Sequence, residues 1–385
     1  MAYKDTTFRQ MLQFIPRYEF QKAVKSYSGE FAAKGFSCWQ QFTAMLYGQL
    51  SGQTGLRGIE SGLQATEKKN YHLGIKPITR STLAYANSNR SHEIYQELFY
   101  SMVDKLMRKN KTRKLNFKNP LYSVDATTID LCLSTFDWAH FRKAKGGIKL
   151  HVKLDHRGYL PAFVSVTTAK THEVNELKKM QFKAGDVVTF DRGYIDFNLF
   201  AKYCNERIYF VTRLKSNADY TVLERKDVSS YPNISSDQNI VMKGFYTSQK
   251  CPLSLRRIRS KDPDTGKYIV ILTNNFDWTP EQIAAIYKER WQIEIFFKTI
   301  KQNLKIKSFL GTSKNAVLTQ IWIALIAYLL LWYLAYLSQT GWTINSLMHL
   351  VPTILFLHKD IWTILNRAGP TQAAVTDNSL QLELI

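Results

Sequence analysis

An α/β fold with helical segments on both sides is what this sequence predicts, and three observations predict it. Apolar residues recur at helical spacing up to about Arg113, at strand spacing after Pro120, and at helical spacing again from Thr279. Between the two switches, strand-like and helical stretches alternate, as they do when helices cover a sheet. With 385 residues, 45% of them hydrophobic, the chain can fill on the order of two to four domain cores.

The first region, residues 1–117, reads as a helical, DNA-binding domain. Phe8–Ile15 and Cys38–Tyr47 carry helical patterns, and Gly52 and Gly55 punctuate the approach to Leu56–Leu63. After Pro77, Thr79 or Ser81 can cap a helix running to Arg90, which leaves Arg80, Ser81, Thr82 and Asn87 or Asn89 to meet a phosphate or base edge. This segment is either a recognition helix or a linker helix packed on the rest. The basic run Lys105–Lys114 closes the region and marks a boundary able to touch phosphates.

From 118 to 214 the order is strand, strand, strand, helix, strand, helix, strand. Leu121–Ile129 alternates, with Tyr122, Val124 and Ala126 on one face and Ser123, Asp125 and Thr127 on the other. Gly147–Asp155 and Tyr159–Val166 are joined by the short turn at His156. A helix over Glu173–Met180, a strand over Asp186–Phe190 ending at Asp191, a helix over Phe197–Cys204 and a strand over Ile208–Leu214 complete the set. That order is the one expected of a ribonuclease H-like core. In such a sheet Asp125, on the first strand, lies beside Asp191, at the end of the fourth.

Residues 215–275 read as a β-rich insertion of short aromatic and polar runs split by Pro232, Pro252 and Pro263. Its basic strand Leu253–Arg259 suggests a DNA-facing side. Residues 276–340 form the second part of the core, and 341–385 a helical region with a polar tail. Thr279, Pro280 and Gln282 together make a helix start with a capping box.

Charge narrows the partners. A formal net charge of +21 and a pI near 9.6, spread along the chain, call for an extended polyanion surface, with nucleic acid the first candidate and an anionic membrane the second. Cys38, Cys132, Cys204 and Cys251 lack paired spacing, so neither a disulfide framework nor a zinc cluster is expected, and a reduced cytoplasmic setting fits. No Walker-type glycine loop appears, which argues against nucleotide hydrolysis.

The most informative stretch is Tyr287–Lys301, read as one continuous helix. At about 100° per residue, Arg290, Glu294 and Lys301 fall within roughly 60° of Tyr287, beside an apolar face made by Ile286, Ile293, Phe296, Phe297, Ile300 and Leu304. A carboxylate is thereby flanked by a phenol, a guanidinium and an ammonium. By the same projection, Glu289 points elsewhere. Such an arc is either a functional strip bordering a cleft or a solvated face with ordinary ion pairs.

Asp125 in Ser-Val-Asp-Ala-Thr, Asp191 in Thr-Phe-Asp-Arg-Gly-Tyr, and Tyr287-x2-Arg290-x3-Glu294-x6-Lys301 together resemble the DDE transposases of bacterial insertion sequences, of the IS-four type with its Tyr-Arg-Glu-Lys signature. The likeness runs from about Lys118 to Leu337. It implies DNA cleavage and strand transfer at element ends through a hairpin, with Asp125, Asp191 and Glu294 both catalytic and ligands to two magnesium ions, for which manganese can substitute. It further implies that Tyr287, Arg290 and Lys301 contact phosphates near the cleaved end; Arg192 either joins them or forms a local salt bridge. Double-stranded DNA is the expected partner, a homodimer in a synaptic complex the expected assembly, and the bacterial cytoplasm at the nucleoid the expected location. A flipped base would stack on an aromatic residue of the insertion, with Trp278, Tyr220, Phe245 and Tyr246 as candidates.

Two other classes stay open at this level. Val317–Leu337 is apolar for long enough to span a bilayer, which would make the chain a membrane protein with a basic cytoplasmic domain. A transposase-derived DNA-binding protein without catalysis would share every feature except activity.

Overall fold

The structure is a computed structural model and describes residues 5–31, 33, 35–109, 119–142, 145–263, 265–302, 304, 306, 309–338 and 340–367. The end of the basic run, from residue 110 on, and the polar tail from Ala368 lie outside the described residues. Two compact units divide the chain: Met1–Lys109, Ser134–Trp138 and Lys298–Ile385 form one, Asn110–Leu133 and Ala139–Phe297 the other.

The first unit is helical. Its N-terminal part holds α1 (Thr7–Leu12), α2 (Arg17–Ser26), α3 (Cys38–Leu50), α4 (Leu56–Ala65), α5 (Glu67–Asn70), α6 (Arg80–Asn89) and α7 (Glu93–Lys109). Ser37 and Gln40 close a reciprocal capping box on α3, and Thr79 caps α6 by accepting from the Thr82 amide. On α6, Arg80, Ser81, Thr82 and Asn89 are exposed. Asn87 corrects the expectation placed on it. It is buried, accepts from Gln41 Nε2 at 2.9 Å, and its carbonyl accepts from Asn315 Nδ2 at 2.8 Å, so it holds the unit together and has no surface to offer a base.

The second unit is built on one ten-stranded sheet: β1 (Leu121–Leu131), β2 (His140–Arg142), β3 (Lys145–Asp155), β4 (Leu160–Thr168), β5 (Val187–Phe190), β6 (Tyr209–Arg213), β7 (Tyr220–Lys226), β8 (Ile234–Met242), β9 (Leu255–Lys261) and β10 (Tyr268–Thr273). The order is β2-β3-β1-β5-β6-β10-β9-β8-β7, with β4 on β3. β1, β5 and β6 are parallel, and the other pairings are antiparallel. The insertion strands therefore extend the core sheet through the β6–β10 pairing and do not make a sheet of their own.

Strand alternation gives this sheet two distinct faces. On one, Val124, Val188, Phe190 and Phe210 pack with Leu199, Phe200 and Tyr203 of α9 (Phe197–Asn205), near Leu177 at the end of the short α8 (Glu173–Leu177). A further short helix, α10 (Phe245–Lys250), follows β8. On the other face, Leu121, Val187, Val211, Ile258 and Ile271 pack with Ile283, Ile286 and Tyr287 of α11 (Pro280–Glu289). Since Leu121, Ser123 and Asp125 alternate along β1, Asp125 belongs to the face that α11 covers.

α11 starts as the sequence requires, with Pro280 in the first turn and the Thr279–Gln282 capping box formed. The single helix expected over Tyr287–Lys301 is two helices: α11 ends at Glu289 and α12 (Trp291–Gln302) begins after Arg290. Arg290 N donates to the Tyr287 carbonyl and Ile293 N to the Arg290 carbonyl, so the chain closes three residues apart on both sides of an elbow.

The remaining helices, α13 (Lys314–Leu337), α14 (Ile344–Ile354) and α15 (Ile361–Arg367), belong to the first unit. Among the described residues, α13 is the one helix long and apolar enough to cross a membrane, yet its most apolar window is 89% buried inside the protein. α3, α6, α7 and α14 pack around it. A helix apolar on all sides is what the centre of a helical unit demands, and its composition is accounted for there.

Candidate active site

Parallel pairing of β1 with β5 ends with Val124 opposite Phe190, so Asp125, midway along β1, and Asp191, just past the end of β5, each stand one residue beyond the last paired position of the two neighbouring strands. Asp125 Oδ1 accepts from the Ala126 amide at 2.8 Å. Burial pushes its carboxyl up to about 6, against that hydrogen bond and the nearby Arg290 charge, with Glu173 and Glu294 adding to the upward push. Glu173 opens α8 and pairs with Lys149 Nζ at 3.2 Å. It is an acidic neighbour that sequence spacing did not single out.

The elbow supplies the cation. Arg290 Nη2 donates to Glu294 Oε1 at 2.6 Å, and Nη1 lies 3.7 Å from Asp125 Oδ2. One guanidinium thus touches two carboxylates from distant parts of the sequence. Burial works against its charge, but Tyr287, Glu294 and Asp125 outweigh burial and leave its pKa raised. Its Nε is buried without a hydrogen-bond partner. The guanidinium stands 5.9 Å from the Tyr287 ring. Burial raises the Tyr287 phenol, and the charges acting on it include Arg290, Asp191 and Arg213, which places Asp191 in the same neighbourhood.

Among the described residues, no three His, Cys, Asp or Glu side chains converge closely enough to hold a metal ion. Asp125 and Glu294 meet through Arg290. In chemistry the donor set nonetheless suits a hard divalent cation, since three carboxylates offer only oxygen. Lys301 stands in the last turn of α12, two turns beyond Glu294 and on the same face of that helix. Arg192, in the turn after Asp191, is exposed and has no ion-pair partner among the described residues, so of its two expected roles the local salt bridge is not seen.

Besides Glu173, two features escaped sequence reasoning. His156 is fully buried, with Nε2 2.7 Å from Ser123 Oγ and Nδ1 3.4 Å from Glu289 Oε2, while Tyr159 OH donates to Glu289 Oε2 at 3.3 Å. This chain of contacts pins the last residue of α11, immediately before the elbow, to β1. No spacing rule links Ser123 to a turn histidine and a helix end. The second feature is Trp291, which opens α12 beside Arg290 and is 55% exposed.

The insertion also sorts its aromatic residues. Trp278 packs on Tyr209 with ring centroids 5.1 Å apart, and its carbonyl accepts from Arg256, which makes it part of the core. Tyr220 lies 5.3 Å from the Arg257 guanidinium. Phe245 and Tyr246 on α10 are 71% and 72% exposed.

Comparison with known proteins identifies the family. Residues 116–330 match the family described as transposase DDE domain, and residues 3–76 match a domain of unknown function, DUF4372. A Sinorhizobium fredii protein named as transposase y4zB is 33% identical over 285 residues, covering 73% of this chain and 79% of the relative. A Geobacillus stearothermophilus protein, named as the transposase of insertion sequence element IS5377, is 30% identical over 68% of each chain. A Synechocystis protein, named as a transposase of element IS4SA, is 24% identical over 71% of this chain and 77% of its own length. A solved piggyBac transposase synaptic complex with hairpin DNA has 12% identity and a TM-score of 0.45, over 97% of this chain and 84% of that one. With a DDE domain matched over more than half its length and relatives of this identity and coverage, the chain belongs to the DDE transposases of the insertion-sequence IS4 type.

Proposed function

We propose that this transposase cuts the ends of its insertion sequence and joins them to target DNA by phosphoryl transfer, using Asp125, Asp191 and Glu294 as the acidic triad. The observation that carries this reading is the convergence of Asp125 and Glu294 on one guanidinium, with Asp191 on the adjoining strand end. The order β4-β3-β1-β5-β6, with parallel pairing from β1 to β6, supports a ribonuclease H-like core beneath the site.

Two magnesium ions, or manganese in their place, would be held by the three carboxylates and would neutralise the scissile phosphate and activate the attacking hydroxyl. The chain's own side chains do the rest. Tyr287, Arg290 and Lys301 bind phosphates at the cleaved end, and exposed Arg192 adds a contact beside Asp191. The partly buried position of Asp125 limits water around the reacting strand. After nicking, the freed 3′-hydroxyl attacks a phosphodiester of the opposite strand, closing a hairpin on the element end and releasing the flanking DNA with its own 3′-hydroxyl; water then opens the hairpin before the end is transferred to target DNA. Phe245 and Tyr246 are exposed enough to stack on an extruded base. Two protomers on two ends would form the synaptic complex, working in the bacterial cytoplasm.

The test is a strand-cleavage assay on the element's terminal repeats with magnesium. The intact chain should cut at the ends, and Asp125→Ala, Asp191→Ala and Glu294→Ala should each bind the same DNA without cutting it. Magnesium-dependent cutting by any of the three variants would overturn the assignment. Binding without cutting by the intact chain would point to an inactive DNA-binding derivative.

A further inference from the structure

The unusual feature of the site is where its cation sits. A phosphate-binding arginine should point its donors at the DNA path, but Arg290 directs one terminal nitrogen at Glu294, 2.6 Å away, and the other towards Asp125, 3.7 Å away. The side chain is only 13% exposed. The two oxygens it faces, Asp125 Oδ2 and Glu294 Oε1, belong to two of the three proposed metal ligands. A guanidinium and a divalent cation cannot both occupy the space between the same two oxygens. The pairing is also incomplete, because the buried Nε donor has no partner, and leaving such a donor unmade opposes this arrangement. Arg290 sits at the elbow between α11 and α12, where the backbone hydrogen bonds on both sides span three residues, so its side chain lies at a junction and not in the middle of a rigid helix.

We infer that Arg290 is an internal counter-ion that holds Asp125 and Glu294 closed against divalent metal until a DNA phosphate draws it away. The inference rests on the triad reading proposed above. A phosphodiester at the cleaved end offers Arg290 a two-pronged partner of the same single charge as a carboxylate, flanked by the further charges of the neighbouring phosphates along the strand. Once the guanidinium turns to it, the two oxygens are free for metal. DNA and metal then favour each other's binding by the same factor, as linkage requires. The consequence for the organism's DNA is protective, since the chain would load its cleavage metal chiefly when an end is in place.

The experiment uses the full chain without DNA and Mn2+ as the probe, with free ion followed by electron paramagnetic resonance. Arg290→Gln should bind Mn2+ roughly tenfold or more tightly than the unaltered chain, the scale of losing a charge-assisted hydrogen bond. Arg290→Lys keeps the charge but not the two-armed reach, and should tighten binding by a smaller factor. Mn2+ should also raise the unfolding temperature of Arg290→Gln more than that of the unaltered chain, which checks that the variant is folded. Equal or weaker binding by both variants, or no detectable binding by any of the three proteins, overturns the counter-ion role. Adding Asp125→Asn to Arg290→Gln separates the two layers of the argument. Loss of the gain supports both, whereas persistence of the gain places the ion elsewhere and removes the triad reading with it. If Asp125→Asn alone weakens Mn2+ binding while Arg290→Gln changes nothing, the triad stands and the counter-ion falls.

Discussion

Two of the arginine–carboxylate arrangements in the sheet unit are of opposite character. Arg256 and Asp237 are each 3% exposed and meet two-to-two, Nε to Oδ1 at 2.8 Å and Nη2 to Oδ2 at 2.6 Å, while Nη1 donates to the Trp278 carbonyl at 2.6 Å. One cation meets one anion, and backbone carbonyls take the spare donor. Arg290 is instead divided between Asp125 and Glu294, leaves its Nε unmatched, and has Asp191 and Glu173 acting on the same small region. The first arrangement is neutral and complete, so its role is to join the insertion strands to the start of α11. The second has more negative charge than its arginine offsets. Carboxylates in excess at a partly buried site are costly unless something binds them, which separates a site from a structural pair.

The widest separation between the two should come from removing the acids. Asp125→Ala or Glu294→Ala should abolish magnesium-dependent cleavage without loss of folded stability near neutral pH. Asp125 resists ionisation, with a carboxyl moved from 3.8 to about 6, so the folded chain binds the extra proton and loses stability as pH rises through that window. Deleting the group lifts that cost. Asp237→Ala should do the reverse, costing about 3–5 kcal/mol in chemical unfolding because Arg256 is left charged and unpaired. The contrast breaks if Asp237→Ala proves neutral, or if Asp125→Ala unfolds as readily as Asp237→Ala.

His151 sharpens the comparison by half a step. It faces Ala126 across the β1–β3 pair, next to Asp125, and burial likewise penalises its charge, moving its pKa from 6.5 down to about 4. The sign is opposite to that of Asp125. The unfolded chain takes up the proton first, so stability is lost as pH falls below about 6.5, by at most about 3 kcal/mol near pH 4. His151→Gln should flatten this part of the stability–pH curve, and an unchanged acid limb in urea titrations would show that the histidine is solvated.

How much of this was legible in the sequence follows from the range of each interaction. Strands over Leu121–Leu131, Lys145–Asp155 and Leu160–Thr168 show in the alternation of neighbouring residues, and the Thr279–Gln282 cap is a contact three residues long. Glu294 could be named because a spaced signature marks it, and Asp125 and Asp191 because their flanking residues resemble those of the same family. The elbow at Arg290 could not, since no glycine or proline announces it and the three-residue closures arise only once α11 lies on the sheet. The continuity of β7–β10 with the core depends on β10 finding β6, a pairing that no local pattern encodes. Asn87 looked like a free polar residue on a helix and is buried because Gln41 and Asn315 come to it from far along the chain. The Ser123–His156–Glu289 chain is hidden for the same reason.

The smallest effect separates Arg290 from Arg256 most cleanly. Arg290→Ala removes a cation from between two anions, yet one of them, Glu294, is 35% exposed and able to turn to water, so folded stability should change by no more than about 1 kcal/mol. Its effect should appear in DNA binding instead. If the guanidinium meets one phosphate at the element end, the slope of log affinity against log salt should fall by about 0.9 between 50 and 200 mM salt, and Arg290→Ala with Lys301→Ala should lower it by about twice that. Alanine at Arg256, whose donors are already satisfied within the protein, should leave the slope as it was in whatever fraction remains folded. A slope unchanged in Arg290→Ala would place this arginine in the same class as Arg256, a cation kept for the fold alone, and the distinction between the two arrangements would be lost.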